Sequence, residues 1–296
     1  MNPMILMVGA TGFLGSNVVQ RLTAAGQQVR ALVRPSSDPA KRALLEASGA
    51  TLVEGDLKDL ASLTRACAGV STVISTASAT ISRGGGDNLE TVDRHGQMQL
   101  VEAAEGAGVR HFIYVSFSGN MTDVSPLSEA KRGVEKRLRE GRTTYTIVRP
   151  SYFMEVWLSP MLGFDPAGGK VRIYGSGDQP MSMISVPDVG AYVAGCVDNP
   201  AVENETIELG GPEAITYNAI VALFEKALGK SIAREHVPLE ALEAQFKGAS
   251  DPMEKTFAAL MLGAARGDAI DVGPALQKVR IPLTPVSAFV TRTTSA

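Results

Sequence analysis

Three glycines stand three residues apart in MVGATGFLG, at Gly9, Gly12 and Gly15. The apolar run MILMV from Met4 precedes them and an amphipathic stretch follows. A phosphate cradle needs this spacing between a buried strand and a helix. Gly9 permits a tight turn, Gly12 lets a diphosphate approach the backbone, and Gly15 lets the helix pack on the strand. Free N–H groups at the helix start then face the negative charge. Thr11, Phe13 and Leu14 belong to the same turn and are expected at the dinucleotide with the glycines.

The second strand decides which dinucleotide is expected. An NAD site usually ends that strand in a carboxylate that accepts from the ribose hydroxyls. Here it ends in ALVRPSS, with Arg34 at the tip. A guanidinium forks onto a 2′-phosphate, which a carboxylate would repel. Ser36 and Ser37 add donors, so NADP(H) is the expected cofactor. Asp56, followed by Leu57 in EGDL at the third strand's tip, is placed to meet the adenine edge. Thr76, Ala77 and Ser78 end the fourth strand; they either line the cofactor path or make ordinary strand-end turns.

These residues need a scaffold, and the first half of the chain spells one out by alternation. Strands are expected at 4–8, 29–33, 51–56, 71–76, 111–116 and 145–150. Helices are expected between them at 14–25, 41–48, 60–67, 93–107 and 129–140. Strands that are apolar on both faces and separated by helices imply a parallel sheet covered on both sides. Right-handed crossovers make it a doubly wound α/β Rossmann fold. Beyond Pro150 the rhythm changes. A stretch rich in Gly, Pro, Met and aromatics is followed by a helix near 185–198 that returns to the main sheet, then by a strand at 206–211 and helices at 216–228, 239–246 and 254–265. The expected division is a cofactor domain of 1–155 with 184–200, and a small α/β substrate domain of 156–183 and 201–296. The tail TRTTSA is expected to fray.

Composition sets the bounds. The chain has 296 residues, 45% of them hydrophobic, and a net charge of −3. That is ample for a core and a poor match for a phosphate polymer, so nucleic acid is not the expected partner. Cys67 and Cys196 are far apart and read as buried small apolar residues rather than a disulfide. The start lacks a basic n-region and its apolar run is short, which argues against a signal peptide or a membrane span. The expectation is a soluble cytoplasmic protein, monomer or homodimer. His95, His111 and His236 show no metal-ligand spacing and read as structural. No Ser/His/Asp triad is legible.

The GxxGxxG spacing resembles that of the short-chain dehydrogenase/reductase superfamily. Further stretches narrow the resemblance: EGDLKD, VDRHGQMQLVEAAEGAGVRHFIYVS, PLSEAKRGVEKRLRE, YTIVRPSYFMEVW, ISVPDVGAYVA and ELGGPEAITYNAIVALFEKALGK. Together, over about residues 4–230, they resemble its atypical, NmrA-like branch, which also holds isoflavone-reductase-like and NADPH:quinone reductase-like proteins. The resemblance implies a Rossmann domain, a small C-terminal substrate domain and a cleft between them.

Most of that superfamily uses a Tyr-x-x-x-Lys pair, in which tyrosine is the acid. Here the stretch reads LSEAK, and Leu127 stands where the tyrosine would be. Isoflavone-reductase-like proteins also lack the tyrosine, and the resemblance then implies acid/base work by Lys131, which also holds the nicotinamide ribose. The alternative is a solvated charge among Arg132, Lys136, Arg137 and Arg139. Ser116, or Ser118 beside it, falls where relatives place a serine near the reacting carbonyl. Pro150, Tyr152 and Phe153 match the segment that passes the nicotinamide. Tyr152 is either a substitute proton donor or a ring lining the pocket. Phe153, Met154, Trp157, Met161 and Phe164 are either core or the wall of an apolar cleft for a flat ligand. The expected activity is hydride transfer between NADP(H) and a small flat apolar ketone, quinone or conjugated alkene. The alternative is a non-catalytic NADP(H) sensor or assembly factor.

Overall fold

A computed structural model describes residues 3–81 and 84–295. Strand β1 (Met4–Val8) alternates its side chains: Ile5 and Met7 enter the core on one face of the sheet, Leu6 and Val8 the core on the other. That double burial is why the run is apolar without interruption. Next come α1 (Phe13–Ala24), β2 (Gln28–Val33), α2 (Pro39–Ala47), β3 (Thr51–Glu54), α3 (Leu60–Cys67) and β4 (Val70–Ser75). The first unit continues through a π-helix (Leu89–Gly96), α4 (Gln97–Gly106), β5 (His111–Val115), α5 (Pro126–Glu140) and β6 (Thr144–Pro150).

The chain then builds a second layer. It contains α6 (Met154–Trp157), β7 (Phe164–Asp165), β8 (Lys170–Tyr174) and β9 (Pro180–Met181), after which α7 (Val186–Gly195) and β10 (Glu205–Leu209) return to the main sheet. After these follow β11 (Ile215–Thr216), α8 (Tyr217–Leu228), β12 (Ala233–Val237), α9 (Leu239–Gly248), α10 (Pro252–Arg266), α11 (Gly273–Lys278) and α12 (Val286–Thr294). The main sheet has seven strands in the order β10-β6-β5-β4-β1-β2-β3, all parallel. The order reverses between β1 and β4, the switch point at whose strand ends doubly wound folds bind their ligands. A three-stranded sheet (β12-β8-β7) and a two-stranded one (β11-β9) lie in the second layer, around a third core that includes Phe164, Tyr217, Phe224 and Leu262.

Several expectations are corrected by packing. The expected strand 206–211 is β10, and it hydrogen-bonds to β6 as the seventh strand of the main sheet rather than joining a separate substrate unit. Ala275 and Val279 also return, packing in the same core as α1 and α7. The expected helix 93–107 is two elements, because a π-helix precedes α4. Its start is set by Asn88, whose side chain accepts from the Thr91 amide while the Thr91 hydroxyl accepts from the Asn88 amide. Helix α5 begins three residues earlier than expected. Ser125 and Ser128 make a reciprocal capping box, and Pro126 stands at the first helical position, where its missing N–H costs nothing. The tail does not fray along its length: α12 reaches Thr294, with Val286, Phe289 and Val290 buried against the third core. Ala296 lies outside the described residues. Cys67 and Cys196 are buried free thiols.

Helix α5 is docked by a buried acid. Glu135 is fully buried and receives Arg149 from β6 at both carboxylate oxygens, Arg132 and Arg139 from its own helix, and holds the register of α5 on the sheet. Burial alone would push this carboxyl upward. Hydrogen bonds from Arg149 and Ser116 and the nearby Arg132 charge outweigh it and bring Glu135 down to about 2. A depressed carboxyl pKa stabilises the fold above its unfolded value, and that stabilisation is lost as pH falls through the folded value. Glu135→Gln is therefore expected to cost about 3 kcal/mol at neutral pH, because it removes the one buried charge on which Arg132, Arg139 and Arg149 converge. In denaturant titrations the gap between wild type and variant closes as pH falls from about 4.5 toward 2.

Candidate active site

The glycine turn is held by close approach. Gly9 adopts φ +84°, and a Cβ there would lie 2.8 Å from both the Ala77 nitrogen and Thr76 Oγ1. A Cβ on Gly15 would stand 2.1 Å from the Gly9 carbonyl oxygen, so only glycine lets α1 seat against β1. The Gly12 amide donates to Gly9 O at 2.9 Å, and no side chain caps the start of α1. The opening amides of the helix are thus left for an anion, as a diphosphate requires. Around them Thr11 is half-buried, Phe13 stands exposed and Leu14 is buried in the core beneath.

The other residues expected at the dinucleotide follow or end strands of the main sheet, and of these Thr76 and Ala77 lie against Gly9. Thr76 continues the β1–β4 ladder by donating its amide to Val8 O at 3.0 Å. Ala77 O accepts from Gln97 Nε2, and Ser78 Oγ lies 3.2 Å from Thr80 Oγ1. Arg34 is at the β2 tip, where its amide donates to Ser37 Oγ, while Ser36 is exposed. Asp56 accepts from the Lys58 amide just past β3, and Leu57 is buried against the π-helix side of the sheet. Pro150 ends β6, its carbonyl accepting from the Ser118 amide, and Phe153 bridges to Ile184 beside the core around α1.

Lys131 is not a surface charge. It is 7% exposed, and its Nζ donates to Val115 O at 3.2 Å and sits 5.2 Å from the centre of the Tyr114 ring. Burial pushes its pKa down; the Asp93 and Glu135 charges pull it back up, and Arg132 pushes it down again. Ser116 follows Val115 directly, so Lys131 and Ser116 meet at the end of β5. The Ser116 hydroxyl lies within 3.4 Å of Arg132 Nη1. Leu127 is buried in the first turn of α5.

Asp93 completes this cluster and is absent from the sequence-derived candidates. It is fully buried in the π-helix; Oδ2 accepts from the Ala79 amide at 2.9 Å, and Oδ1 has no partner among the described residues. Burial raises its pKa, while Lys131, Ser78 and Ala79 lower it, the net direction being up. The Tyr114 hydroxyl is also buried without a partner among the described residues. Two orphaned polar atoms beside a desolvated ammonium mark a site built for polar chemistry rather than for packing. The signal for Asp93 was its place on the inward stripe with Leu89, Val92, Gly96 and Leu100.

Other candidates fall away. Tyr152 is buried in the third core; its hydroxyl donates to Leu260 O at 3.0 Å, and its ring packs edge-on to Trp157 at 4.6 Å. Burial raises its pKa well above the ordinary tyrosine value, with Asp268 adding to the rise. A phenol so placed is a packing group and not a proton donor. Phe164 and Met154 are core residues and Met161 is exposed, so none of the three walls a cleft. Ser118 is committed elsewhere. Its hydroxyl donates to Asp268 Oδ1 at 2.6 Å, Ser151 Oγ to Oδ2 at 2.6 Å, and Asn120 Nδ2 to Oδ1 at 2.8 Å. Buried Asp268 thereby ties the ends of β5 and β6 to the second layer. Nothing in the loop sequence GDAID announced it. Two surface cavities lie apart from the Lys131 cluster, one at the start of β5 beside Arg110 and His111, the other along β10 beside Ile207 and Ile270.

The NmrA-like family model matches residues 1–282, and the chain belongs to that family. It is 31% identical over 265 residues to the isoflavone reductase homolog IRL of Zea mays, covering 84% of this chain and 82% of that protein. It is 31% identical over 245 residues to the photosystem II assembly factor Ycf39 of Trieres chinensis, covering 81% and 73%. The solved NADPH complex of the quinone oxidoreductase QOR2 of Escherichia coli superposes with a TM-score of 0.81, at 25% identity, over 98% of this chain and 99% of that one. The cofactor class is NADP(H), the form bound in that solved complex. Among the described residues no helix is long and apolar enough to cross a membrane.

If Tyr152 serves packing alone, Tyr152→Phe is expected to cost about 1 kcal/mol of stability, the usual worth of one buried hydrogen bond. Calorimetric affinity for NADP+ should stay at the wild-type value.

Proposed function

We propose that the chain is an NADP(H)-dependent reductase of a small, flat, apolar ketone, quinone or conjugated alkene, with Lys131 as its acid/base group. The observation that carries the reading is Lys131 itself, a lysine desolvated at the end of β5 beside Ser116, with a lowered pKa and with Leu127 where a tyrosine acid would stand. NADPH, when bound, supplies the hydride. The turn Gly9–Gly15 holds the diphosphate and Arg34 the 2′-phosphate. Lys131 anchors the nicotinamide ribose and gives its Nζ proton to the substrate atom that gains negative charge; water then restores that proton. Ser116 turns its one hydroxyl proton from Glu135 to the same charge. A lowered ammonium pKa suits this work, since acid catalysis is most efficient when pKa lies near the working pH.

A second reading has two observations in its favour. Leu127 removes the usual acid, and Ycf39, a relative across four-fifths of the chain, is an assembly factor by name. On that reading the bound dinucleotide reports and does not react.

Purified protein is expected to oxidise NADPH with at least one member of a panel of quinones, enones and ketones. Lys131→Ala should cut turnover by about a hundredfold or more, the usual scale of a lost acid/base group. Tyr152→Phe should keep it. The protonated form of Lys131 is the acid, so kcat falls as pH rises through its lowered pKa, and Lys131→Arg abolishes that fall. No turnover with any acceptor, together with nucleotide-dependent capture of a partner protein that survives Lys131→Ala, would establish the second reading instead.

A further inference from the structure

Beside the glycine turn, three charged groups from three separate segments meet. Arg34 at the tip of β2 donates Nη1 to Asp87 Oδ2, and Lys58 just past β3 donates Nζ to Asp87 Oδ1. The Gly84 amide donates to Asp87 Oδ2 at 2.7 Å, Lys58 Nζ also reaches Gly85 O at 3.3 Å, and Asp56 lies 3.6 Å from Nζ. The carboxylate is 4% exposed, whereas the side chains of Arg34 and Lys58 are 32% and 30% exposed. Two cations therefore converge on the two oxygens of one acid, within the width of one oxyanion, and both remain open to solvent. No other hydrogen bond of the Arg34 guanidinium is present, so Nε and Nη2 are free among the described residues. Arg42, the other nearby cation among the described residues, is committed: Nη2 to Glu54 at 2.9 Å and Nη1 to the Arg34 carbonyl.

We propose that Lys58 is the second cation of the 2′-phosphate site beside Arg34, and that Asp87 is a built-in competing anion that the 2′-phosphate must displace. The proposal rests on the reading that Arg34 meets the 2′-phosphate. A phosphate carries nearly two negative charges at neutral pH and offers three acceptor oxygens, where the carboxylate offers one charge and two oxygens. Arg34 and Lys58 stand against both Asp87 and Asp56, so the cluster is neutral as it stands, and a dianion that displaces Asp87 meets two cations opposed by Asp56 alone. NAD(H), with a ribose hydroxyl at that position, cannot dislodge the carboxylate. Cofactor choice in this chain thus becomes a contest between the loop acid and the cofactor's own phosphate. The physical state of Asp87 agrees with that role. Burial would raise its pKa, but the bonds from Lys58, Gly84 and Arg34 outweigh it and keep the acid ionised.

The test is calorimetric titration of wild type, Arg34→Ala, Lys58→Ala and Asp87→Asn with NADP+ and with NAD+. Lys58→Ala is expected to weaken NADP+ by about tenfold, the scale of one charge-assisted hydrogen bond, with NAD+ unchanged. Asp87→Asn is expected to tighten NADP+ severalfold, again with NAD+ unchanged. If Lys58→Ala leaves the NADP+/NAD+ ratio intact while Arg34→Ala collapses it, Lys58 is not a ligand and the proposal is overturned. If Arg34→Ala also leaves the ratio intact, the reading of Arg34 itself has failed. Asp87→Asn weakening NADP+, alone or together with NAD+, overturns the competitor role and makes Asp87 a support of the loop.

Discussion

The structure turns on one buried ammonium. Lys131 has exchanged water for a backbone carbonyl and an aromatic face, with the charge of the Asp93 carboxylate acting on it across the cluster, and none of these replaces a hydration shell on its own. Each neighbour imposes a requirement on the fold. The carbonyl demands that α5 lie across the end of β5, which the Ser125–Ser128 capping box and the Glu135–Arg149 pair secure. The carboxylate demands that Asp93 be carried inward without a solvent path, and the π-helix does this by widening the turn around it. Local π geometry is expensive in regular helices and concentrates at functional positions. Gly96 closes that segment because a Cβ there would press on Thr91 O and Leu57 at 2.8 Å.

On the proposed function, binding and chemistry fall to different halves of the sheet. The dinucleotide's phosphates would belong to β1, β2 and β3, and the reacting end to β5, β6 and α5, where Lys131 and Ser116 are enclosed. The switch point between β1 and β4 joins the two halves, and Thr76 is the hinge of that join: it ends the ladder from β1 and packs against Gly9 and Gly15. Asp268 adds a second tie by drawing Ser118, Ser151 and Asn120 together, so the second layer is fastened near the strand ends where a substrate must sit. The names of this chain's relatives include both a reductase homolog and an assembly factor.

Much of this was legible in the sequence wherever the signal was local. The six strands of the first half show as apolar runs because both of their faces are buried, and the glycine turn shows because φ and close approach restrict it to glycine. Arg34 shows because strand-tip position alone carries its meaning. The hidden features are the long-range ones. β10 is a short strand whose place beside β6 depends on the whole crossover, so TIELGG looked like part of a separate unit. Tyr152 sits in a segment suited to the nicotinamide, but its hydroxyl is claimed by Leu260, 108 residues away. Asp87 and Asp268 read as ordinary loop acids, since nothing nearby in sequence foretells that they bind groups from distant strands. Asp93 stands between these cases: its helical spacing with Leu89, Val92 and Gly96 points inward, but nothing near it in sequence marks the Lys131 charge that acts on it.

The central claim is that Lys131 is a desolvated, proton-labile group rather than a fixed charge. Its titration can be followed directly by nuclear magnetic resonance of the lysine side-chain carbons, with Lys131→Arg assigning the signal. The account predicts a midpoint below the ordinary lysine range, and a still lower one in Asp93→Asn, where the charge that pulls it upward is gone. A midpoint at or above the ordinary lysine range, insensitive to Asp93, would contradict it.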